Sequence, residues 1–168
     1  MKRNSGFTLI ELLVVITIIG ILAGLAFPAI QGALNAAKKA EANAMANQLK
    51  IALTSYQTEY GIWPTVLDTS SEVESDDTTL YNILIGDSST TSSGQNPRRI
   101  VFMEFNSKSL NPSGSGFLDP WKNTYRIKVD HDYDNQITDP GSITINASII
   151  VWSNGKDGSF QTNDPKTW

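Results

Sequence analysis

Glu11 is the residue whose position most needs a chemical reason. It stands in a run from Phe7 to Phe27 that is otherwise apolar except for Thr8 and Thr17. About 21 helical residues reach roughly 31 Å, enough to cross the hydrocarbon core of a bilayer. A carboxylate there costs roughly 2.5 kcal/mol or more at the bilayer centre and less near its edge, so it is a functional candidate that needs a partner. The other candidates are aspartates. Asp130, Asp132 and Asp134 alternate with His131 and Tyr133 and run on into Asn135, Gln136 and Ile137. Such a run gathers hard oxygen ligands of the kind calcium takes, with Gln136 as a further oxygen. Aspartate pairs can also do acid–base work, but these lie in polar loops with nothing to raise a pKa and no nucleophile beside a base. We therefore expect a protein that is not an enzyme.

Composition removes other chemistries. There is no cysteine, so thiol catalysis, disulfides and thiolate metal sites are excluded, and the single histidine cannot build a His-rich zinc site. With 13 basic and 17 acidic side chains there is no electrostatic footprint for nucleic acid. No organic cofactor is expected. The length of 168 residues suits one domain plus one special segment. Lys2 and Arg3 precede the apolar run and place the N-terminus in the cytoplasm, with the rest of the chain on the far side of the membrane. A secretory signal would put small residues and a cleavage site after the run. Here the run passes instead into a helix-forming stretch.

That stretch, residues 29–60, repeats apolar side chains at steps of three and four: Ile30, Leu34, Ala37, Met45, Leu49, Ala52, Leu53, Tyr56 and Tyr60. Gly61 and Pro64 mark its end. The expected helix thus has a membrane half and an amphipathic half. Gly20 and Gly24 permit close helix packing, and Pro28 removes one amide and is expected to kink or loosen the helix. Residues 68–98 are rich in Ser, Thr, Asp and Gly and read as a surface insertion around one short apolar island, Leu80–Ile85. Three strands are expected after it: Arg99–Phe105, Thr124–Val129 and Ser142–Trp152. An antiparallel sheet packed on the amphipathic half gives an α+β fold.

Gly6-Phe7-Thr8-Leu9-Ile10-Glu11-Leu12, with its short basic leader and Pro28, resembles the processing motif of type IV prepilins and pseudopilins. The resemblance implies a pilin-like fold, a leader at residues 1–6, a transmembrane and assembly helix at 7–28 and an extracytoplasmic domain at 29–168. It implies cleavage between Gly6 and Phe7 by prepilin peptidase and methylation of the new Phe7 amine. It also implies self-assembly into a filament, in which Glu11 meets the amine of a neighbouring subunit. A pair that forms only on assembly sets register, because a misplaced subunit would bury an unpaired charge.

Three further segments are similar to the major pseudopilins of type II secretion: the helix exit Tyr56–Pro64, the turn Asp119-Pro120-Trp121-Lys122-Asn123-Thr124-Tyr125, and the last 16 residues, Ser153–Trp168. The last resembles a calcium loop. On that likeness Asp157 and Asp164 ligate through side chains, and backbone carbonyls near Asn154, Ser159 and Thr162 complete the shell. Phe160-Gln161-Thr162 stand where the family has paired glycines. The run Asp130, Asp132, Asp134, Gln136 matches the first positions of an EF-hand loop, but Gly141 occupies the place of its closing Glu. It is a second calcium candidate, with a polar turn between strands as the alternative.

The function these likenesses imply is a major pseudopilin supporting protein export, anchored by a single pass in a bacterial inner membrane. Its partners would be other pseudopilins and inner-membrane assembly proteins. A type IV pilus subunit for adhesion, motility or DNA uptake is the alternative. A calcium-dependent binding module on a plain anchor would need neither the Gly6-Phe7 junction nor Glu11.

Overall fold

A computed structural model describes residues 8–87 and 94–168. Gly6, Phe7, the leader and most of the Ser-rich run at 88–93 lie outside them. The elements are helix α1 (Leu9–Tyr60), β1 (Val73–Glu74), helix α2 (Thr78–Ile85), β2 (Tyr125–Val129), β3 (Ile137–Thr138), β4 (Thr144–Ile145) and β5 (Ile149–Ser153). This is an α+β arrangement, one long helix and a small antiparallel sheet. The chain divides into two compact units, Met1–Ala37 and Lys38–Trp168.

In the first unit every large apolar side chain from Leu9 to Leu34 is exposed. A helix can show such a surface only where lipid or other helices replace water. α1 is long and apolar enough to cross a membrane. It stays helical through Pro28 even though the proline withdraws the amide that would reach the Gly24 carbonyl. Thr17 satisfies its hydroxyl on the carbonyl of Leu13 at 2.7 Å, the usual solution for a hydroxyl in an apolar helix.

In the second unit the core face of α1 is Ala42, Ala46, Leu49, Ala52, Leu53 and Tyr56; of the expected stripe, Leu49, Ala52, Leu53 and Tyr56 are buried, Met45 and Tyr60 are half-buried, and Ile30, Leu34 and Ala37 are exposed. The helix ends where Gly61 turns left-handed at φ 74° and its amide closes on Gln57 at 2.7 Å. The main sheet runs β1-β2-β5, all antiparallel, with Ile127 opposite both Val73 and Val151. β2 alternates, with Tyr125, Ile127 and Val129 inward and Arg126 and Lys128 half-exposed. β5 is buried along its whole length because both of its faces are covered. Ile149 and Val151 join the core with Leu49 and Leu53, while Ile150 and Trp152 join a smaller cluster with Ile137, Phe160 and Trp168.

Two expectations are corrected. Arg99–Phe105 forms no strand: the amides of Phe102 and Met103 both bond the carbonyl of Leu84, at 2.9 and 3.1 Å, so this apolar segment packs along a helix end rather than in the sheet. Ser142–Trp152 is two strands, β4 and β5, which belong to different sheets. The 68–98 region is also more than a surface insertion. α2 within it has Leu80, Ile83 and Leu84 fully buried, Asp77 caps its start by accepting from the Leu80 amide at 2.9 Å, and Gly86 ends it at φ 71°.

Two buried phenols add a pH dependence. Burial, helped by Tyr60, pushes Tyr56 up to about 12, while its hydroxyl donates to the Gln95 carbonyl at 2.8 Å. Tyr125 is raised by burial and then by the carboxylates of Asp119 and Glu41. An unfolded tyrosine ionises near 10, so the folded state holds these protons longer, and stability is lost as pH rises above about 10. Phenolate absorbance of these two residues should rise only together with loss of the fold; titration in the still-folded protein would show that they are not sealed.

Candidate metal centre and N-terminal motif

Loop 130–136 links β2 to β3 and brings Asp130, Asp132 and Asp134 together, with one carboxylate oxygen of each within 4.8 Å of the others. Asp130 is buried, and its side chain builds the turn: Oδ1 accepts the Asp134 amide at 3.1 Å and Oδ2 accepts the Asn135 amide at 2.8 Å. Asp134 in turn accepts the Gln136 amide at 2.8 Å. Asn135 takes the left-handed conformation, φ 63°, and so does Tyr133, φ 61°. The loop is anchored from behind, where the Trp63 indole donates to the Asp130 carbonyl at 3.0 Å. Asp132, Asp134 and Gln136 line one cavity together with His131 and Lys128. The geometry therefore supplies the polar turn directly, and it leaves Asp132 and Asp134 on the exposed side.

The C-terminal loop, 154–164, connects β5 to the tail. Asp157 and Asp164 line one cavity with Lys156, Gln161 and Asn163. Ser159 and Thr162 are exposed on the same loop and are not among those lining residues. Asp157 Oδ1 accepts the Ser159 amide at 3.1 Å, and Asp164 Oδ2 accepts the Gln161 amide at 2.6 Å. Burial, and after it the neighbouring Asp157 carboxylate, raises the Asp164 pKa; the Gln161 amide, Lys39 and Lys166 pull the other way. Gly155 sits at φ 64°, a conformation that favours glycine, and a Cβ on it would also lie 2.6 Å from Asp164 Oδ1, so that carboxylate would have to shift. Asn154 Oδ1 is buried with no hydrogen-bond partner. Asn154 Oδ1 is thus an open acceptor in the loop that carries the two carboxylates, though it is not among the residues lining their cavity, and oxygens of these kinds are what a hard cation takes.

What the sequence did not reveal is how this loop is held to the rest of the domain. Asp119, 2% exposed, accepts the Trp121 and Asn123 amides on Oδ1 at 2.9 and 2.8 Å and the Ser153 hydroxyl on Oδ2 at 2.6 Å. Ser153 Oγ then accepts the Gly155 amide at 2.9 Å, and the Asn123 side chain donates to the Gly155 carbonyl at 2.6 Å. The Asp119 turn and the C-terminal loop are thus one hydrogen-bonded unit.

At the other end of the chain, Glu11 has a partner in its own helix. Thr8 donates from its amide and its hydroxyl to Glu11 Oε2, at 2.8 and 2.6 Å, and Thr8 Oγ1 accepts the Glu11 amide at 3.3 Å. This reciprocal pair is a capping box, visible in the sequence as Thr-x-x-Glu at the helix start.

Comparison with known proteins bears on this end. Residues 1–27 match the family model described as the prokaryotic N-terminal methylation motif. The chain is 49% identical over 61 residues to the type IV major pilin protein PilE of Neisseria gonorrhoeae, covering 36% of each. It is 48% identical over 61 residues to the fimbrial protein EcpC of Eikenella corrodens, covering 36% of this chain and 40% of that one. To a fimbrial protein of Moraxella nonliquefaciens it is 48% identical over 54 residues, 32% of this chain and 35% of that one. The chain carries the N-terminal methylation motif and is similar to type IV pilins over 36% of its length. Its relatives are pilins and fimbrial proteins, not enzymes, and it spans little more than a third of their length. No solved structure matches.

Proposed function

We propose that this chain is a membrane-anchored structural subunit that polymerises into a filament after prepilin peptidase cuts between Gly6 and Phe7. The observation that carries the reading is the methylation motif matched over residues 1–27, followed by a helix whose apolar surface is wholly exposed from Leu9 to Leu34. The helix crosses the membrane once, with the leader in the cytoplasm and the C-terminal domain outside it. Intact mass tests this directly: the mature chain should lack residues 1–6 and carry a methyl group. Gly6→Leu should accumulate full-length precursor, because a large side chain at the scissile bond blocks the peptidase. Normal maturation of that variant refutes the assignment.

Within this class the specific reading is a pseudopilin of type II secretion, working with other pseudopilins and inner-membrane assembly proteins in protein export. The fit of the C-terminal loop to a cation, in a chain without cysteine, supports it. A type IV pilus subunit is the second reading, favoured by relatives that are themselves named type IV pilins. Deleting the protein separates them: loss of export with surface filaments intact supports the first, and the reverse supports the second.

Calcium is the metal we assign to the C-terminal loop, held by Asp157 and Asp164, with Asn154 Oδ1 and carbonyls near Asn154, Ser159 and Thr162 as further oxygens. A bound cation stabilises the native state by roughly 2.7 kcal/mol at a hundred times its dissociation constant. The unit Lys38–Trp168, which has its own core, should therefore melt higher in calcium than in chelator. Asp157→Ala and Asp164→Ala should each remove most of that shift. Asp132→Ala tests the 130–136 loop more cleanly than Asp130→Ala, since Asp130 also builds the turn. Identical melting with calcium and with chelator would sink both sites.

A further inference from the structure

The C-terminal tail does something no motif announces. Its residues lie along the outer edge of β5. The Ser153 amide donates to the Pro165 carbonyl at 3.0 Å, and the Thr167 amide donates to the Val151 carbonyl at 3.1 Å. Trp152 and Lys166 form an antiparallel bridge, and the Val151 amide is taken by Thr167 Oγ1 at 3.0 Å. The same tail also reaches α1: the Lys166 amide donates to Asn43 Oδ1 at 3.1 Å, and the Lys50 amine donates to the Thr167 carbonyl at 3.3 Å. Trp168 completes the contact, stacked on Phe160 and set edge-on to the buried Trp152, with the Lys166 amine 4.9 Å from the Trp168 ring centroid. β5 would otherwise be an edge strand with open amides, the part of a sheet most prone to pair with another chain.

We infer that residues Asp164–Trp168 are a strap that closes the β5 edge onto α1, and that it opens as a unit, separately from the rest of the fold, when loop 154–164 is not held by a cation. Closure makes that loop the turn of a hairpin between β5 and the tail. It brings the Asp157 and Asp164 carboxylates to one cavity, where their repulsion is offset in part by the Gln161 amide on Asp164 Oδ2 and by Lys39 and Lys166. A cation at the turn removes that repulsion. The strap also has less holding it than the main sheet does. Its polar bonds can be taken over by water, and its apolar anchor is Trp168 against a small cluster, whereas β2 and β5 are fixed by the main core. Opening would uncover the amides of Val151 and Ser153, the indole of Trp152, and the flank of α1 at Asn43 and Lys50 in one event.

The cation-dependent half of this inference rests on the calcium reading above, and the test keeps the two apart. Amide hydrogen exchange is measured on the full chain in detergent, in calcium and in chelator, alongside calorimetric titration with calcium. The amides of Ser153, Lys166 and Thr167 report the strap. Those of Ser75 and Phe117, bonded to Tyr125 and Ser75 in the main sheet region, report the rest of the fold. Chelation should speed the strap amides about tenfold or more while the reference amides stay unchanged. Trp168→Ala should do the same without any change of metal. Calcium binding without a change at the strap amides overturns the coupling and leaves the metal site standing. Absence of calcium binding removes the metal site, and selective exchange in Trp168→Ala then supports a strap without cation control. Strap and reference amides accelerating together, in chelator and in Trp168→Ala alike, overturns the strap.

Discussion

Glu11→Ala should abolish filament assembly while leaving membrane insertion unchanged or improved. In the single chain, Glu11 Oε2 takes both donors of Thr8, so the carboxylate is not bare when the subunit is alone. Removing a helix cap costs about 1 kcal/mol, and removing a charge from an apolar span returns a comparable or larger amount. The monomer therefore has little to lose. If Glu11 pairs with the Phe7 amine of a neighbouring subunit, as the prepilin resemblance implies, the assembled state loses the contact that sets its register. Cross-linked ladders in the membrane should disappear with the monomer level held. Thr8→Ala separates the two roles of the side chain: it breaks the capping box but keeps the charge. Ladders that survive Thr8→Ala and vanish in Glu11→Ala assign the carboxylate to the intersubunit contact. Ladders lost equally in both reduce Glu11 to a helix cap, and unchanged ladders in Glu11→Ala remove it from assembly.

The N-terminal half was legible because its signals are local. A membrane-length apolar run, a helical period and a glycine stop each act within a few residues, and α1 follows them to Gly61. The alternation in β2 was legible for the same reason. The failures are non-local. Arg99–Phe105 has strand composition, but its amides are taken by Leu84, a helix-end carbonyl that no local pattern announces. α2 was visible as an apolar island, yet its place in the core depends on cluster partners distant in sequence, among them Leu53, Met103 and Phe117. At the site, the aspartate spacings were plain. What could not be read was that Asp130 spends both its oxygens on backbone amides, or that Asn154 holds a buried acceptor without a donor. The Thr8–Glu11 capping box is a local signal too, but Thr8 is a neutral hydrogen-bond donor, so a reading of Glu11 as a charge in need of an opposite charge does not point to it.

Asp119→Ala should destabilise the domain strongly. The Asp119 turn resembled a structural element, and the structure shows why a carboxylate is needed there. Three donors converge on it, from Trp121, Asn123 and Ser153, in a place that is 2% exposed. Asp119→Ala leaves all three without an acceptor. An unsatisfied buried donor costs roughly 1–3 kcal/mol, so a total of about 3 kcal/mol or more is expected even if water reaches one of them. For a domain of this size that corresponds to a fall in melting temperature on the order of 10 °C. The damage should also spread to the C-terminal loop, because Ser153 Oγ holds the Gly155 amide and Asn123 holds the Gly155 carbonyl. Any stabilisation of the chain by calcium should shrink in the variant along with its melting temperature. Asp119→Asn keeps one acceptor oxygen for the two turn amides but sets a carboxamide NH2, a donor, against the Ser153 hydroxyl, so its stability should fall between wild type and Asp119→Ala. Thermal unfolding of wild type, Asn and Ala variants in calcium and in chelator reads all of this at once. A melting temperature for Asp119→Ala equal to wild type would mean that the turn and the loop are held by packing alone.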